Sequence, residues 1–143
     1  MAHEMISQTV KYALRILGYL ADHSGEWTQG SQIAKATGIP SNYLSKILNQ
    51  LRKKGLVLSQ KGWGGGFILA DRAASAPISE VLDLFEGERH SGACVFEMRP
   101  CDAKNPCPLH VHWEKIQGQF IHMLDTTTIG DLRSIMRPRA RRR

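Results

Sequence analysis

The chain has 143 residues, 42% hydrophobic and 22% charged, with a net charge of +6. This is a globular composition, long enough for one domain plus an extension, or for a domain that completes its core with a second copy. It excludes a membrane span, because no apolar run approaches about 20 residues, and an odd count of three cysteines argues against a disulfide framework.

The N-terminus, MAHEMISQTVKYALRIL, carries an early Glu4 and no long uncharged apolar stretch ending in a cleavage site. No signal peptide is expected, and the protein is placed in the cytoplasm. Charge is uneven along the chain. Residues 1–76 hold nine Lys/Arg against four Asp/Glu, residues 77–136 hold five against nine, and RPRARRR at 137–143 adds five arginines. A basic domain at 1–76, an acidic segment at 77–136 and a basic disordered tail at 137–143 suggest that one end meets a polyanion. The tail by itself reads as a solvated end with loose affinity for nucleic acid.

In ISQTVKYALRILGYLADH (6–23), Ile6, Val10, Ala13, Leu14, Leu17 and Ala21 share one helical face. TQGSQIAKAT (28–37) predicts a short helix starting near Thr28 and stopping at Gly38. Ile39-Pro40 makes a tight connection, and Ser41 is the expected N-cap of SNYLSKILNQLRKKG, which closes at Gly55. In this third helix Leu44, Ile47, Leu48 and Leu51 form an apolar arc. Asn42, Lys46, Asn49 and Lys53 line the opposite side, flanked by Tyr43 and Ser45. Two helices across a tight turn, the second with such a stripe, make a helix-turn-helix. Asn and Lys can reach base edges and phosphates in a major groove. A polar stripe is also what a solvated helix face looks like.

LVLSQ (56–60) and FILA (67–70) read as two strands joined by KGWGGG. A hairpin directly after a helix-turn-helix is a wing. Its glycines permit positive φ and close approach to a sugar-phosphate backbone. Lys61 can lie over a phosphate or in a narrow minor groove. The plainer reading is a hairpin turn with slack. A phosphate-binding loop is excluded, because no G-K-[ST] follows. The candidate DNA contacts are Ser41, Asn42, Tyr43, Ser45, Lys46, Asn49 and Lys53, with Lys61 and Gly62 from the wing.

DRAASAPISE links to a helix at 78–87, whose Ile78, Val81, Leu82 and Phe85 need a partner surface. A long helix is predicted over 108–127, with Leu109, Trp113, Ile116, Phe120 and Met123 at spacings of four, three, four and three. That is a coiled-coil seam with no second long helix in the chain to match it. The simplest cover is the same helix of a second copy in a two-fold dimer. Packing on the chain's own winged domain is the alternative. A last short helix is expected at 129–136.

All three cysteines lie in ACVFEMRPCDAKNPCPLHVHW (93–113), as Cys94-x6-Cys101-x5-Cys107-x2-His110. Cys107 is expected to cap the long helix, with Pro108 in its first turn and His110 on the same face. The positive end of the helix dipole suits a thiolate there. Three thiolates and an imidazole can converge on one metal. Structural zinc sites usually contain a close C-x2–4-C pair, which is missing here. Wider spacing suits an iron–sulfur cluster, in which histidine can replace cysteine. Spacing alone does not decide between the two, and buried cysteines or a thiol redox pair are the non-metal readings.

Several stretches together resemble the Rrf family of winged-helix regulators, which includes IscR, NsrR and RirA. They are KYALRIL, QIAKATGIPSNYLSKILNQLRKKGLV, KGWGGGFIL, the clustered cysteines and TIGDL. The resemblance covers nearly the whole chain. It implies a homodimer with a long crossing helix, and a cluster loop just before that helix. It matches Cys94, Cys101 and Cys107 to three cluster ligands, and His110 to the histidine that completes a [2Fe-2S] site in the IscR branch. In the nitric-oxide-sensing branch a carboxylate from the partner's first helix completes a [4Fe-4S] site. The equivalent position here is Lys11, which cannot serve while protonated, so the resemblance favours His110 and two irons. There are two departures. The first cysteine gap is one residue longer than in IscR, and Ser45 stands where IscR has a glutamate that tunes operator choice.

The expected fold is mainly α with a small β-hairpin wing: a winged helix-turn-helix plus a long dimerisation helix. The expected function is a homodimeric transcription regulator on a pseudo-palindromic operator in double-stranded DNA, with affinity controlled by an iron–sulfur cluster. A zinc site or thiol-redox switch in place of the cluster is the alternative. An enzyme using Cys107 as nucleophile is not expected, since no orienting group or oxyanion element accompanies it.

Overall fold

The computed structural model describes residues 5–87 and 104–136. In chain order the elements are α1 (Gln8–Asp22), α2 (Gly30–Thr37), α3 (Ser41–Lys53), β1 (Val57–Gln60), β2 (Gly66–Leu69), α4 (Ser79–Glu86) and α5 (His110–Thr126). Short 3-10 turns follow β2 at Asp71–Ser75 and α5 at Gly130–Leu132. No helix among the described residues is long and apolar enough to cross a membrane.

The first helix is the hub. Ser7 caps it, its side chain accepting the Val10 N–H at 3.3 Å. It packs against α2, α3, α4, β2 and the last 3-10 turn. A helix enclosed on several sides needs more than one apolar stripe. Ile16 and Leu20, which the predicted face omits, are fully buried beside Val10, Ala13 and Leu17, while Ile6 and Leu14 are only partly covered.

Helix α2 starts at Gly30, two residues later than predicted. Gln29 is its N-cap, with the Gln32 side chain accepting the Gln29 N–H at 3.2 Å. Thr28 is instead recruited to the hairpin, exchanging backbone hydrogen bonds with Phe67 at 2.9 and 2.8 Å. The expected stop at Gly38 is present. Pro40, not Ser41, is the N-cap of α3: its carbonyl accepts the Leu44 N–H at 2.9 Å. A proline needs no N–H at a helix entrance and has φ preset, so Ser41 becomes the first helical residue. Leu44, Ile47, Leu48 and Leu51 are buried, as the arc predicts.

Strands β1 and β2 form an antiparallel hairpin, from Val57 opposite Leu69 to Gln60 opposite Gly66. The chain then returns under α1. Ile78 N–H donates to Thr127 O, and Ile129 N–H to Ala76 O, both at 2.9 Å. These bonds tie the end of α5 to the segment before α4. Leu124 and Ile129 are fully buried in the same apolar cluster as Leu17, Leu51 and Leu82.

The short helix expected at 129–136 is reduced to the 3-10 turn Gly130–Leu132. Thr128 and Asp131 cap each other there: Thr128 N–H to the Asp131 carboxylate at 2.9 Å, and Asp131 N–H to the Thr128 hydroxyl at 3.1 Å. The chain then turns at Ser134, whose N–H donates to the Asp22 carboxylate at 3.0 Å. Docking on the end of α1 ends the helix.

Candidate nucleic-acid interface and cysteine-bearing helix start

The buried arc of α3 leaves its other side to solvent. Ser41, Asn42, Tyr43, Ser45, Lys46, Asn49 and Lys53 are all exposed. Two of them have local partners. The Ser45 hydroxyl donates to Ser41 O at 3.0 Å, and the Asn49 side-chain oxygen accepts from Arg52 Nη2 at 2.8 Å. Arg52 was not among the residues singled out from the sequence, because it lies outside the stripe of Asn and Lys. It nonetheless faces the same space.

A groove of about 520 Å³ separates α3 from the hairpin, lined by Ser41, Ser45, Asn49 and Arg52 on one side and Ser59, Gln60 and Lys61 on the other. Leu44, Leu48 and Phe67 form the floor of this groove, so the exposed side chains of α3 and the base of the hairpin border one cleft with a polar rim. Lys61 and Gly62 are exposed. The glycines of the turn are more than slack: Gly62 and Gly64 have φ of 94° and 72°, in the left-handed region that favours glycine. At Gly65 and Gly66 a Cβ would run into the carbonyls of Gln60 and Thr28.

Along α5 and the Leu109 that precedes it, the five predicted seam residues part company. Leu109, Ile116 and Met123 are 42%, 47% and 43% exposed. Trp113 and Phe120 are half-buried, Phe120 against the chain's own core. Leu124, next to Met123, is the α5 residue that anchors the helix inward.

Of the four expected cluster ligands, Cys94 and Cys101 lie outside the described residues, while Cys107 and His110 are described. Cys107 does not cap α5 and is not on its face, since the helix begins at His110 after Leu109. The His110 N–H donates to Cys107 O at 3.0 Å, closing a four-residue turn before the helix. Pro108 takes the second position, which favours proline, and Leu109 at φ −96°, ψ 0° fits the third position of a type I turn. Thiol and imidazole thus start and finish one tight turn. His110 Nε2 lies 3.3 Å from Glu114 Oε2, with the imidazole side chain 13% exposed. Metal-ligating histidines commonly give their other ring nitrogen to such a carboxylate. The described pair therefore suits a cluster or zinc. Among the described residues no group of three or more His, Cys, Asp or Glu is gathered into a metal site.

One side chain bridges the end of α3 and α4. Arg72 Nη2 donates to Lys54 O, at the end of α3, at 2.8 Å, and its Nη1 lies 3.6 Å from Glu80 Oε2 on α4. Helix α4 leads directly into the cysteine segment. At the other end of the chain, the backbone N–H and hydroxyl of Thr128 hold the Asp131 carboxyl below its ordinary value of 3.8.

Residues 6–134 match the profile of the Rrf2 family, described as an iron-dependent transcriptional regulator. An Aquifex aeolicus protein described as an HTH-type transcriptional regulator is 36% identical over 133 residues, covering 92% of both chains. The structure of CymR, described as the global cysteine regulator of B. subtilis, superposes with a TM-score of 0.75 at 27% identity, covering 92% of this chain and 98% of that one. IscR of T. potens superposes with a TM-score of 0.67 at 26% identity, covering 90% and 85%. The hairpin after the helix-turn-helix is the wing of a winged-helix fold. The chain belongs to the Rrf2 family of DNA-binding transcription regulators.

Proposed function

We propose that the chain is a homodimeric regulator that reads a pseudo-palindromic operator and whose grip on DNA is set by an iron–sulfur cluster held by Cys94, Cys101, Cys107 and His110. A [2Fe-2S] centre is favoured over [4Fe-4S]. The observation that carries this reading is the turn from Cys107 to His110, which sets a cysteine and a histidine backed by Glu114 at its two ends where α5 begins. The likeness to IscR supports it. When bound, the cluster supplies a redox- and iron-sensitive cross-link between the cysteine segment and the helix start.

The chain's own residues do the rest. Asn42, Tyr43, Ser45, Lys46 and Asn49 present to the major groove, while Lys61 and Gly62 bring the wing to the minor groove. Leu109, Trp113, Ile116, Phe120 and Met123 pair with the same residues of a second copy. A change at the cluster site acts on α4, and Glu80 and Arg72 carry it to the Lys54 carbonyl at the end of α3. Coupling of this kind is reciprocal: DNA also changes cluster stability.

The test is anaerobic purification followed by iron, sulfide and zinc analysis. Coloured protein with iron and sulfide, both lost in Cys101→Ala, is expected. Colourless protein with one zinc per chain, or with an oxidisable thiol pair and no metal, would replace the cluster by the second reading, zinc or thiol control of the same reading head. The likeness to a global cysteine regulator supports that second reading.

A further inference from the structure

We infer that Trp63 is a minor-groove contact of the wing and sets which base pairs the wing accepts. The inference rests on the reading of α3 and the hairpin as a DNA interface, and it concerns a residue that reading leaves idle.

Trp63 is 105% exposed, more than any other large apolar side chain described. An indole carries about 150–250 Å² of surface and normally buries most of it. Here it contributes nothing to the core. It is also not on a loose tip. It stands between Gly62 and Gly64, both at positive φ, and the next two glycines are pressed against the carbonyls of Gln60 and Thr28. The turn is built to hold this one side chain at the apex, two residues beyond Lys61.

Charge identifies what covers it. Residues 27–70, which include α2, α3 and the whole hairpin, contain no Asp or Glu, against Lys35, Lys46, Arg52, Lys53, Lys54 and Lys61. Arg52 and Lys61 both line the groove between α3 and the wing. The flanking Glu26 and Asp71 are outnumbered by these six cations, and a surface of that charge with one projecting aromatic fits a phosphate-walled groove. An apolar protein partner would want the aromatic set among other apolar groups. Its neighbours here are glycines and lysine.

The chemistry of the minor groove then gives a base preference. An A·T pair shows only acceptors there, whereas G·C adds the protruding guanine amino group. The indole body can lie against the deoxyribose walls with Nε1–H toward the acceptors of A·T pairs, and the guanine amino group obstructs it. Apolar side chains do enter the minor groove in other DNA-binding proteins, where they wedge against base steps.

The experiment uses the full chain and a duplex recovered by selection from a random-sequence pool. Hydroxyl-radical footprinting locates the base pairs under the wing. Dissociation constants are measured by fluorescence anisotropy for wild type, Trp63→Phe and Trp63→Ala. Three versions of the duplex carry A·T, I·C or G·C at those pairs. An I·C pair keeps the minor-groove face of A·T and changes the major-groove face.

Wild type is expected to bind the A·T and I·C duplexes alike and G·C more weakly. Trp63→Ala is expected to lose about tenfold in affinity on A·T and to lose the discrimination. Its salt dependence stays unchanged, because no charge is removed. Trp63→Phe keeps part of both. Equal affinity of Trp63→Ala and wild type on A·T, or I·C behaving like G·C, overturns the inference while leaving the interface reading intact. Failure of wild type to bind any duplex in a salt-dependent way overturns both. Because Trp63 touches no core residue, an unchanged melting temperature for Trp63→Ala accompanies a real contact, and a collapsed one contradicts it.

Discussion

Replacing Ile116 with glutamate tests the proposed dimer without unfolding the chain. Ile116 is the middle of the five-residue seam on α5 and is 47% exposed. Burying a whole isoleucine side chain is worth about 1.5–3 kcal/mol. A partner therefore stands to cover about half of it, or about 1 kcal/mol per copy and about 2 kcal/mol per dimer. The variant removes that term and sets two carboxylates on the two-fold interface, each losing water without a partner. A total of at least about 3 kcal/mol follows, a rise of more than about a hundredfold in the dimer dissociation constant.

Within one chain the cost is small, because α5 is anchored through Leu124 and Ile129 and not through Ile116. The assay is sedimentation equilibrium with circular dichroism, followed by binding to duplexes with one and two half-sites. The expected result is a folded monomer that no longer prefers the two-half-site duplex. A dimer constant within about threefold of wild type would refute the use of this seam, and so would loss of helix signal in step with loss of the dimer.

Leu124→Ala tests the inward face of the same helix. Leu124 is fully buried, so the variant should lose about 2–5 kcal/mol in urea unfolding, and a loss under about 1 kcal/mol would contradict the packing described. Arg72→Gln removes a charged donor from Lys54 O and an ion pair that is half in water. Stability should move by less than about 1 kcal/mol, while the difference in DNA affinity between metal-loaded and metal-free protein shrinks. An unaltered difference would show that Arg72 carries no coupling. Asp131 is held below its ordinary value of 3.8 by Thr128, so its contribution is present above that pH and is lost as pH falls through the lower folded value. The stability gap between wild type and Asp131→Ala should therefore be flat above about pH 5 and close below 3.8. A gap that persists at lower pH would contradict the reciprocal cap.

The reading head was legible because its physics is local. Leu44, Ile47, Leu48 and Leu51 recur at helical spacing, and KGWGGG between two short apolar runs has few conformations other than a hairpin. The single stripe assigned to α1 was too narrow, since Ile16 and Leu20 are buried by elements that arrive much later in the chain, and sequence periodicity does not announce them. Ser41 was misplaced by one residue because Pro40 takes over the entrance to α3. Thr28 was claimed by Phe67, 39 positions away, before it could cap α2.

The α5 seam was read as one continuous face. In the chain itself it divides between Trp113 and Phe120, both half-buried, and three residues that stay open to solvent. The spacing of the three cysteines pointed to a metal but not to a geometry. The type I turn at Cys107 comes from Pro108, whose role there was read as helical. Trp63 carried a signal that went unused: an aromatic surrounded by glycines has nothing in its own fold to pack against.

The central claim is tested most directly by one comparison. Protein purified without air is split into a cluster-loaded sample and a chelator-stripped sample. Both are titrated against the selected duplex in one buffer, with iron and sulfide counted on the same samples. The account predicts about two irons and two sulfides per chain in the loaded sample and a difference of at least tenfold in DNA affinity between the two. Equal affinity of the two samples, or no sulfide in protein that binds the duplex fully, would contradict it.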